Sequence, residues 1–305
     1  MNKKQELTNL KMKNKFILII CFITATVVSV SAQKTIRIWG ENPSSIKMNK
    51  AKLQIFKAKD NPSGISVIIC PGGSYCYLGR KVEGSEIAKW LNKNNITAFV
   101  LYYRVGMFGN HHPAMIQDLQ RTMLLVKENS EQYGIAPDKI GVMGFSAGGH
   151  LAGTANTYFD TNFLEELGFK QQVSMRPAFT AMIYPVITMT NDNVVHQNSR
   201  KNLLSKTYPQ ELAKLLSLEN NVRPDMAPVF LVNCAGDKIV DYRNAGNYAT
   251  ALKEKEVPHF YKLYNESGHG FGIRKGAGEA RQWHHLFIPW IEETMKVQLK
   301  TGEPK

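Results

Sequence analysis

The 305-residue chain is 43% hydrophobic and carries a formal net charge of +13 at pH 7. Its length and apolar content suffice for one large α/β core, and a single domain accounts for them. The basic residues do not cluster into the stripe that nucleic-acid binding requires, so we interpret the positive charge as a solvated face. The three cysteines beyond residue 32 predict no disulfide framework, and no His/Cys cluster has the spacing of a structural zinc site.

Residues 1–32 have the pattern of a secretory signal peptide. Five lysines precede a short apolar run, and the segment ends in the small residues Ser31 and Ala32. Cleavage is predicted after Ala32, which removes five lysines and one glutamate and leaves a formal charge of +9 on residues 33–305. Met12 is an alternative start, and an uncleaved anchor is the alternative to cleavage. The pattern predicts a secreted or periplasmic protein without stable membrane insertion.

Strands alternate with helices along the rest of the chain. Strands are predicted near 34–38, 53–58, 65–70, 96–103, 139–143, 179–184, 228–234 and 259–264. Helices are predicted near 82–93, 113–133, 147–158, 208–217, 242–255 and 277–298. This alternation implies crossover connections and a mostly parallel eight-stranded sheet flanked by helices. The polar stretches 159–175 and 187–227 interrupt the rhythm and are predicted to be insertions.

Two adjacent glycines follow the third strand, in Pro71-Gly72-Gly73-Ser74-Tyr75. Without a Cβ, such residues let backbone N–H groups turn inward, although an ordinary Pro-Gly turn has the same sequence. A nucleophile further along the chain would favour a loop that donates hydrogen bonds to an oxyanion.

Such a nucleophile is predicted at Ser146, within Gly144-Phe145-Ser146-Ala147-Gly148. An apolar strand precedes this segment and a helix pattern follows it, which is the context of a nucleophile elbow. The turn forces the serine into a strained conformation at the end of the strand. Ala147 presents its backbone N–H at the helix start, where an oxyanion is stabilised.

The general base is predicted to be His269, in the glycine-rich loop directly after the last strand. The other downstream histidines have less suitable positions. His150 is expected to point away along the helix that follows the serine, and His259 lies within a strand. His284 and His285 fall within a helical pattern.

Two aspartates compete to orient that histidine. Asp237 comes first after the strand that ends at Cys234, close to the sheet edge. Asp241 lies where the next helix begins and has a natural interpretation as its N-cap. Glu266 is too near His269 in sequence to reach round its ring. We predict that Asp237 is the acid of a Ser-His-Asp triad.

These segments together resemble the α/β-hydrolase esterases. The resemblance includes Pro71-Gly72-Gly73-Ser74-Tyr75, Gly144-Phe145-Ser146-Ala147-Gly148-Gly149-His150 and Gly268-His269-Gly270-Phe271-Gly272. More narrowly, the chain resembles bacterial acetylxylan-esterase-like carbohydrate acetylesterases near the hormone-sensitive-lipase group, over residues 50–296. The resemblance implies an α/β-hydrolase fold for residues 33–305, with lid insertions. It places the triad on Ser146, Asp237 and His269, and the oxyanion donors on Gly73, Ser74 and Ala147.

The implied activity is removal of acetyl or other short acyl groups from plant polysaccharide or its oligosaccharides, without metal or cofactor. Tyr75 and Tyr77 are candidates to stack on a sugar ring, although packing explains them equally well. His196 is a candidate substrate contact, although a solvated loop residue is the alternative. Two alternatives remain: a serine peptidase of the same fold, and a non-catalytic carbohydrate-binding protein on a hydrolase scaffold.

Overall fold

A computed structural model describes residues 34–41, 50–170, 173–273 and 278–299. The signal peptide predicted over residues 1–32 lies outside them. No helix within the described ranges is long and apolar enough to cross a membrane.

An eight-stranded sheet runs through the described chain. Its strands are β1 (Lys34–Arg37), β2 (Lys52–Phe56), β3 (Ser66–Cys70), β4 (Thr97–Tyr102), β5 (Ile140–Phe145), β6 (Thr180–Ile183), β7 (Val229–Cys234) and β8 (His259–Tyr264). They lie in the order β1-β2-β4-β3-β5-β6-β7-β8. β2 is antiparallel to both of its neighbours, and β3 to β8 pair in parallel. The predicted mostly parallel sheet of an α/β-hydrolase is confirmed.

β5 continues two residues beyond its predicted end. Gly144 resembled the start of a turn in the sequence, but it pairs with both Cys70 and Met182 inside the sheet. Phe145 is fully buried and pairs with Ile183, so burial holds the strand in the ladder up to the residue before Ser146.

Helices connect the strands. They are α1 (Glu86–Lys93), α2 (Ala114–Glu128), α3 (Ser130–Tyr133), α4 (Ala147–Thr157), α5 (Gln197–Leu204), α6 (Gln210–Leu215), α7 (Arg243–Glu254) and α8 (Trp283–Met295). A π-turn over 81–85 leads into α1, and a 3-10 turn over 279–282 leads into α8.

Two parts of the helix prediction were wrong. The single helix predicted near 113–133 is two helices, separated at Asn129, whose φ of −108° and ψ of 21° depart from helical values and whose side chain donates to the Leu125 carbonyl. The insertion 187–227 contains α5, which the sequence did not indicate. α5 buries only Ser199, Leu203 and Leu204, so it carries too short an apolar stripe to be recognised.

Both faces of the sheet are covered. Along β3, Val67 and Ile69 point into one apolar cluster, whereas Ile68 and Cys70 point into another. The first cluster includes residues of α1 and α8, and the second includes residues of α2 and α4. A central strand with two buried faces is apolar throughout, which explains the uninterrupted apolar run before Pro71.

Candidate active site

Ser146 lies in a sharp turn between β5 and α4. Its backbone has φ of 52° and ψ of −120°, an unfavourable conformation for a residue with a side chain. Among the backbone hydrogen bonds that hold it there, its N–H donates to the Ile183 carbonyl, and its own carbonyl accepts from the Val186 N–H. Contacts with β6 and with the segment just after it thus hold the turn that places the hydroxyl beyond the sheet edge.

Glycine at position 148 allows α4 to begin close to the sheet. A Cβ on Gly148 would lie 2.0 Å from the Cys70 carbonyl oxygen, nearer than any real contact. The first turn of α4 therefore packs directly against the end of β3. This contact brings the elbow and the loop after β3 together.

Ser146, His269 and Asp237 form a continuous hydrogen-bonded chain. Nε2 of His269 lies 2.9 Å from Oγ of Ser146, and Nδ1 lies 2.6 Å from Oδ2 of Asp237. A carboxylate can only accept, so Nδ1 carries the proton and Nε2 accepts from the serine hydroxyl. The Asp237 side chain is 2% exposed and the His269 side chain 16% exposed. Little water therefore reaches the inner hydrogen bond.

The second oxygen of Asp237 is also used. Its Oδ1 accepts from the backbone N–H groups of Ile239 and Val240, which fixes the carboxylate plane. Asp241 faces elsewhere, since its carboxylate binds the backbone N–H and the guanidinium of Arg243 at the start of α7. The structure thus brings Asp237, and not Asp241, to the histidine.

The loop after β3 lies against the elbow. Gly73 has φ of +130°, which glycine tolerates and other residues do not, and Ser74 and Tyr75 also have positive φ. A Cβ on Gly72 would lie 2.8 Å from that of Ser146, so the loop and the serine are in contact. Ala147 is the first residue of α4, where a backbone N–H has no partner within the helix. The three predicted oxyanion donors, Gly73, Ser74 and Ala147, thus belong to two adjoining segments.

The prediction that Tyr75 stacks on a sugar ring was wrong, and the tyrosine has a packing role instead. Its side chain is fully buried, and its hydroxyl lies 2.8 Å from Nδ1 of His150. Nε2 of His150 lies 2.7 Å from the Leu216 carbonyl, so it donates there and Nδ1 accepts from the tyrosine. Tyr75 therefore anchors the loop from below. His150 does not point away along its helix, because its two nitrogens join that loop to the insertion.

Tyr77 and His196 remain available near the site. Tyr77 is 62% exposed and its ring lies beside Gly73. His196 is partly buried, and its Nδ1 lies 2.8 Å from the Ser199 hydroxyl. Burial and the neighbouring His269 lower the pKa of His196, and Asp237 partly offsets this. His196 is therefore close enough to sense the charges of the triad.

Glu83 and Tyr184 support the site and were missed in the sequence. Oε2 of Glu83 accepts from the Gly72 N–H at 2.9 Å, and Oε1 accepts from the Tyr184 hydroxyl at 2.8 Å. The Tyr184 ring packs edge-on against His269, with centroids 4.8 Å apart. Burial raises the pKa of Glu83, and both hydrogen bonds and the nearby His269 partly offset the rise. This buried pair connects the loop after β3 with the histidine.

Comparisons with known proteins identify the family of this chain. The sequence profile of the BD-FAE family matches residues 53–252. The chain belongs to the BD-FAE family. A solved structure, the acetyl ester-xyloside bifunctional hydrolase from Caldicellulosiruptor lactoaceticus, is 30% identical to this BD-FAE chain with a TM-score of 0.78. The match covers 87% of this chain and 98% of that one.

Two curated proteins are similar to this BD-FAE chain. An acetylxylan esterase from Xylanibacter ruminicola is 30% identical over 73% of this chain and 44% of the relative. Endo-1,4-beta-xylanase B from Butyrivibrio fibrisolvens is 28% identical over 77% of this chain and 37% of the relative. The chain therefore spans about two fifths of the length of these relatives. The predicted resemblance to acetylxylan-esterase-like α/β-hydrolases is confirmed.

No group of three or more His, Cys, Asp or Glu side chains within the described ranges is arranged to hold a metal ion. Cys70, Cys76 and Cys234 are free thiols. The Cys234 thiol donates to the Ser267 carbonyl and so joins the end of β7 to the loop that carries His269.

Proposed function

We propose that this protein is a serine esterase that removes acetyl groups from xylan-like plant polysaccharide or its oligosaccharides. The observation that carries the proposal is the hydrogen-bonded chain from Ser146 through His269 to Asp237. The names of its relatives support the substrate class, since two of them are an acetylxylan esterase and an acetyl ester-xyloside hydrolase.

In the proposed mechanism, the hydroxyl of Ser146 attacks the carbonyl carbon of the ester. Nε2 of His269 accepts the hydroxyl proton, and Asp237 stabilises the resulting imidazolium through Nδ1. The carbonyl oxygen becomes an oxyanion that accepts hydrogen bonds from the N–H groups of Gly73, Ser74 and Ala147. These donors are already held in place, so they need little reorganisation during the reaction.

Collapse of the tetrahedral intermediate breaks the bond to the sugar oxygen. His269 donates its proton to that oxygen, and the deacetylated sugar leaves while the acetyl group remains on Ser146. Water then attacks the acyl-enzyme, with His269 again accepting a proton. Acetate is released and the serine is restored.

The surface around the site is consistent with an ester whose alcohol part is bulky, such as a sugar. The described chain exposes large apolar side chains after β3, β4 and β7, at the sheet edge that carries Ser146; they are Tyr77, Met107, Phe108, Ile239 and Tyr242. Such side chains suit the apolar faces of sugar rings. An acetyl group, by contrast, needs little space beside the serine.

A panel of esters tests the proposal. Turnover of p-nitrophenyl esters should fall steeply from acetate to butyrate and be negligible at octanoate, because each methylene that is not accommodated forfeits about 0.8 kcal/mol of burial. Acetate should also be released from acetylated xylan. Turnover that rises with chain length would instead indicate a lipase-like enzyme and exclude acetylated xylan as the substrate.

The basic and apolar pattern of residues 1–32 supports export as part of the same proposal. The exported chain should begin at Gln33. N-terminal mass spectrometry of protein from its native host tests this, and a chain that retains Met1 or Met12 would contradict it.

A further inference from the structure

A groove of about 360 Å³ lies beside the loop after β3, at the edge of the sheet that carries Ser146. Its lining includes aromatic, apolar and cationic side chains: Lys50, Tyr77, Arg80, Tyr102, Met107 and Phe108. We name it the aromatic groove. Its volume is within the range of small-ligand sites, and none of these residues has a part in the proposed chemistry.

The aromatic groove adjoins the predicted oxyanion loop through main-chain contacts. The Tyr77 N–H donates to the Gly73 carbonyl at 3.1 Å, so one wall of the groove begins at a predicted oxyanion donor. On the opposite wall, the Gly106 N–H donates to the Tyr75 carbonyl at 2.7 Å. A ligand in the groove would therefore lie beside the loop that carries two of the predicted oxyanion donors.

Three large apolar side chains of the groove face solvent. Tyr77 is 62% exposed, Met107 60% and Phe108 54%. Exposed aromatic faces of this size provide flat surfaces for the C–H face of a pyranose ring. They indicate an amphipathic ligand such as a sugar.

Two cations accompany these rings. Nζ of Lys50 lies 5.7 Å from the centre of the Phe108 ring, and the Arg80 guanidinium lies 4.9 Å from the centre of the Tyr102 ring. In the described chain neither cation has a carboxylate within 4.0 Å. Arg104 also borders the groove, but its charge is neutralised by Asp118 at 2.9 Å. Lys50 and Arg80 are therefore the cations available to an anion in the groove.

We propose that the aromatic groove is a subsite for a carboxylated sugar, a uronic acid residue near the acetylated position. The rings hold the pyranose, and Lys50 and Arg80 bind its carboxylate. This inference rests on the proposed function, since it assumes that the ester at Ser146 belongs to a polysaccharide. Such a subsite would make the enzyme selective for acidic over neutral acetylated polysaccharide chains.

Binding to a Ser146→Ala background tests the groove without turnover. The ligands are xylotetraose and a xylotriose that carries one glucuronic acid, titrated by calorimetry or NMR at low salt. The acidic ligand should bind about tenfold more tightly, and Arg80→Gln or Lys50→Gln should each reduce this preference about threefold. Tyr77→Ala should weaken both ligands. Lys255→Gln, an exposed lysine at the end of α7, makes the same charge change away from the groove and should preserve the preference.

Equal affinity for the two ligands would overturn the inference. It would also be overturned if Lys255→Gln lost as much of the preference for the acidic ligand as Arg80→Gln and Lys50→Gln. Thermal unfolding of each variant shows whether it is folded. The proposed function is tested separately, by ester hydrolysis with the wild-type protein. If the wild-type protein hydrolysed no ester while Ser146→Ala still preferred the acidic ligand, the groove would remain assigned and the esterase would be excluded.

Discussion

The two sides of the candidate active site are held in different ways. On the nucleophile side, the loop after β3 is fixed from beneath by buried side chains. Glu83 accepts from the Gly72 N–H, the Tyr103 hydroxyl donates to the Pro71 carbonyl, and Tyr75 is bound to His150. On the base side, His269 lies in a loop in which Glu266, Gly268 and Gly270 are exposed.

This contrast corresponds to what each side is proposed to do. Oxyanion donors act by being in place before charge develops, so a buried and rigid support favours them. A histidine that accepts and then donates a proton must approach two different oxygens in turn. The packing of Tyr184 against its ring and the Cys234 hydrogen bond restrain the loop, while Glu266, Gly268 and Gly270 stay exposed. The difference separates a preorganised donor side from an adjustable proton-transfer side.

The largest expected effect comes from removing the nucleophile. Ser146→Ala should lower kcat for p-nitrophenyl acetate by about 10⁶-fold, because the triad acts as one unit. The fold should persist, since alanine is smaller and Ser146 makes its structural hydrogen bonds through the backbone. Circular dichroism together with steady-state kinetics checks this. Near-normal turnover by the folded variant would remove Ser146 from the chemistry.

On the base side, Asp237→Asn should lower kcat by about 10⁴-fold, because an amide no longer fixes the required histidine tautomer. Asp241→Asn is the matched control, since it lies in the same loop but binds only the exposed Arg243. That variant should change kcat less than twofold. A larger loss in Asp241→Asn than in Asp237→Asn would reverse the assignment of the acid.

The nucleophile side should be sensitive to acid through His150. Burial, with a contribution from His112, lowers the pKa of His150 to about 4 from an ordinary value of 6.5, and the Leu216 carbonyl only partly offsets this. In the unfolded chain His150 therefore binds a proton below pH 6.5, whereas in the native chain it binds one only below about pH 4. The resulting stability is present above pH 6.5 and should fall by about 2 to 3 kcal/mol between pH 6.5 and 4.5.

Urea unfolding at pH 7 and pH 4.5 measures this loss. His150→Gln should be less stable at pH 7 but show a flatter dependence on pH. His285→Gln replaces an exposed histidine and should keep the wild-type dependence. An unchanged slope in His150→Gln would show that other groups cause the acid sensitivity.

The smallest of these effects concerns the support of the oxyanion loop. Glu83→Gln preserves size but replaces one acceptor oxygen by a donor, which then faces either the Gly72 N–H or the Tyr184 hydroxyl. We expect kcat to fall about 10- to 100-fold with little change in KM, the pattern of a weakened transition-state interaction. Tyr184→Phe removes only the hydroxyl and should lower kcat less than Glu83→Gln does. If Glu83→Gln raised KM and left kcat unchanged, a positioning role for Glu83 would be contradicted.

The sequence predicted the sheet and the residues of the proposed triad for a simple reason. Ser146, Asp237 and His269 each lie within five residues of the end of a strand, and the ends of parallel strands share one edge of a sheet. The supporting residues have no such signal. Glu83 and Tyr184 lie 101 residues apart in the chain, and only tertiary packing brings them together. Tyr75 was ambiguous for the same reason, because its burial depends on His150 in a distant helix.

The order of the site residues along the chain also determines when the site can assemble. From β5 onward the sheet grows in chain order, each new strand pairing with the one before it. During synthesis, Ser146 therefore leaves the ribosome well before the loop that carries His269, which lies 123 residues later. Nascent chains arrested between β7 and β8 would hold an elbow without its base. The order of these elements along the chain thus leaves the serine without its base until the loop after β8 is made.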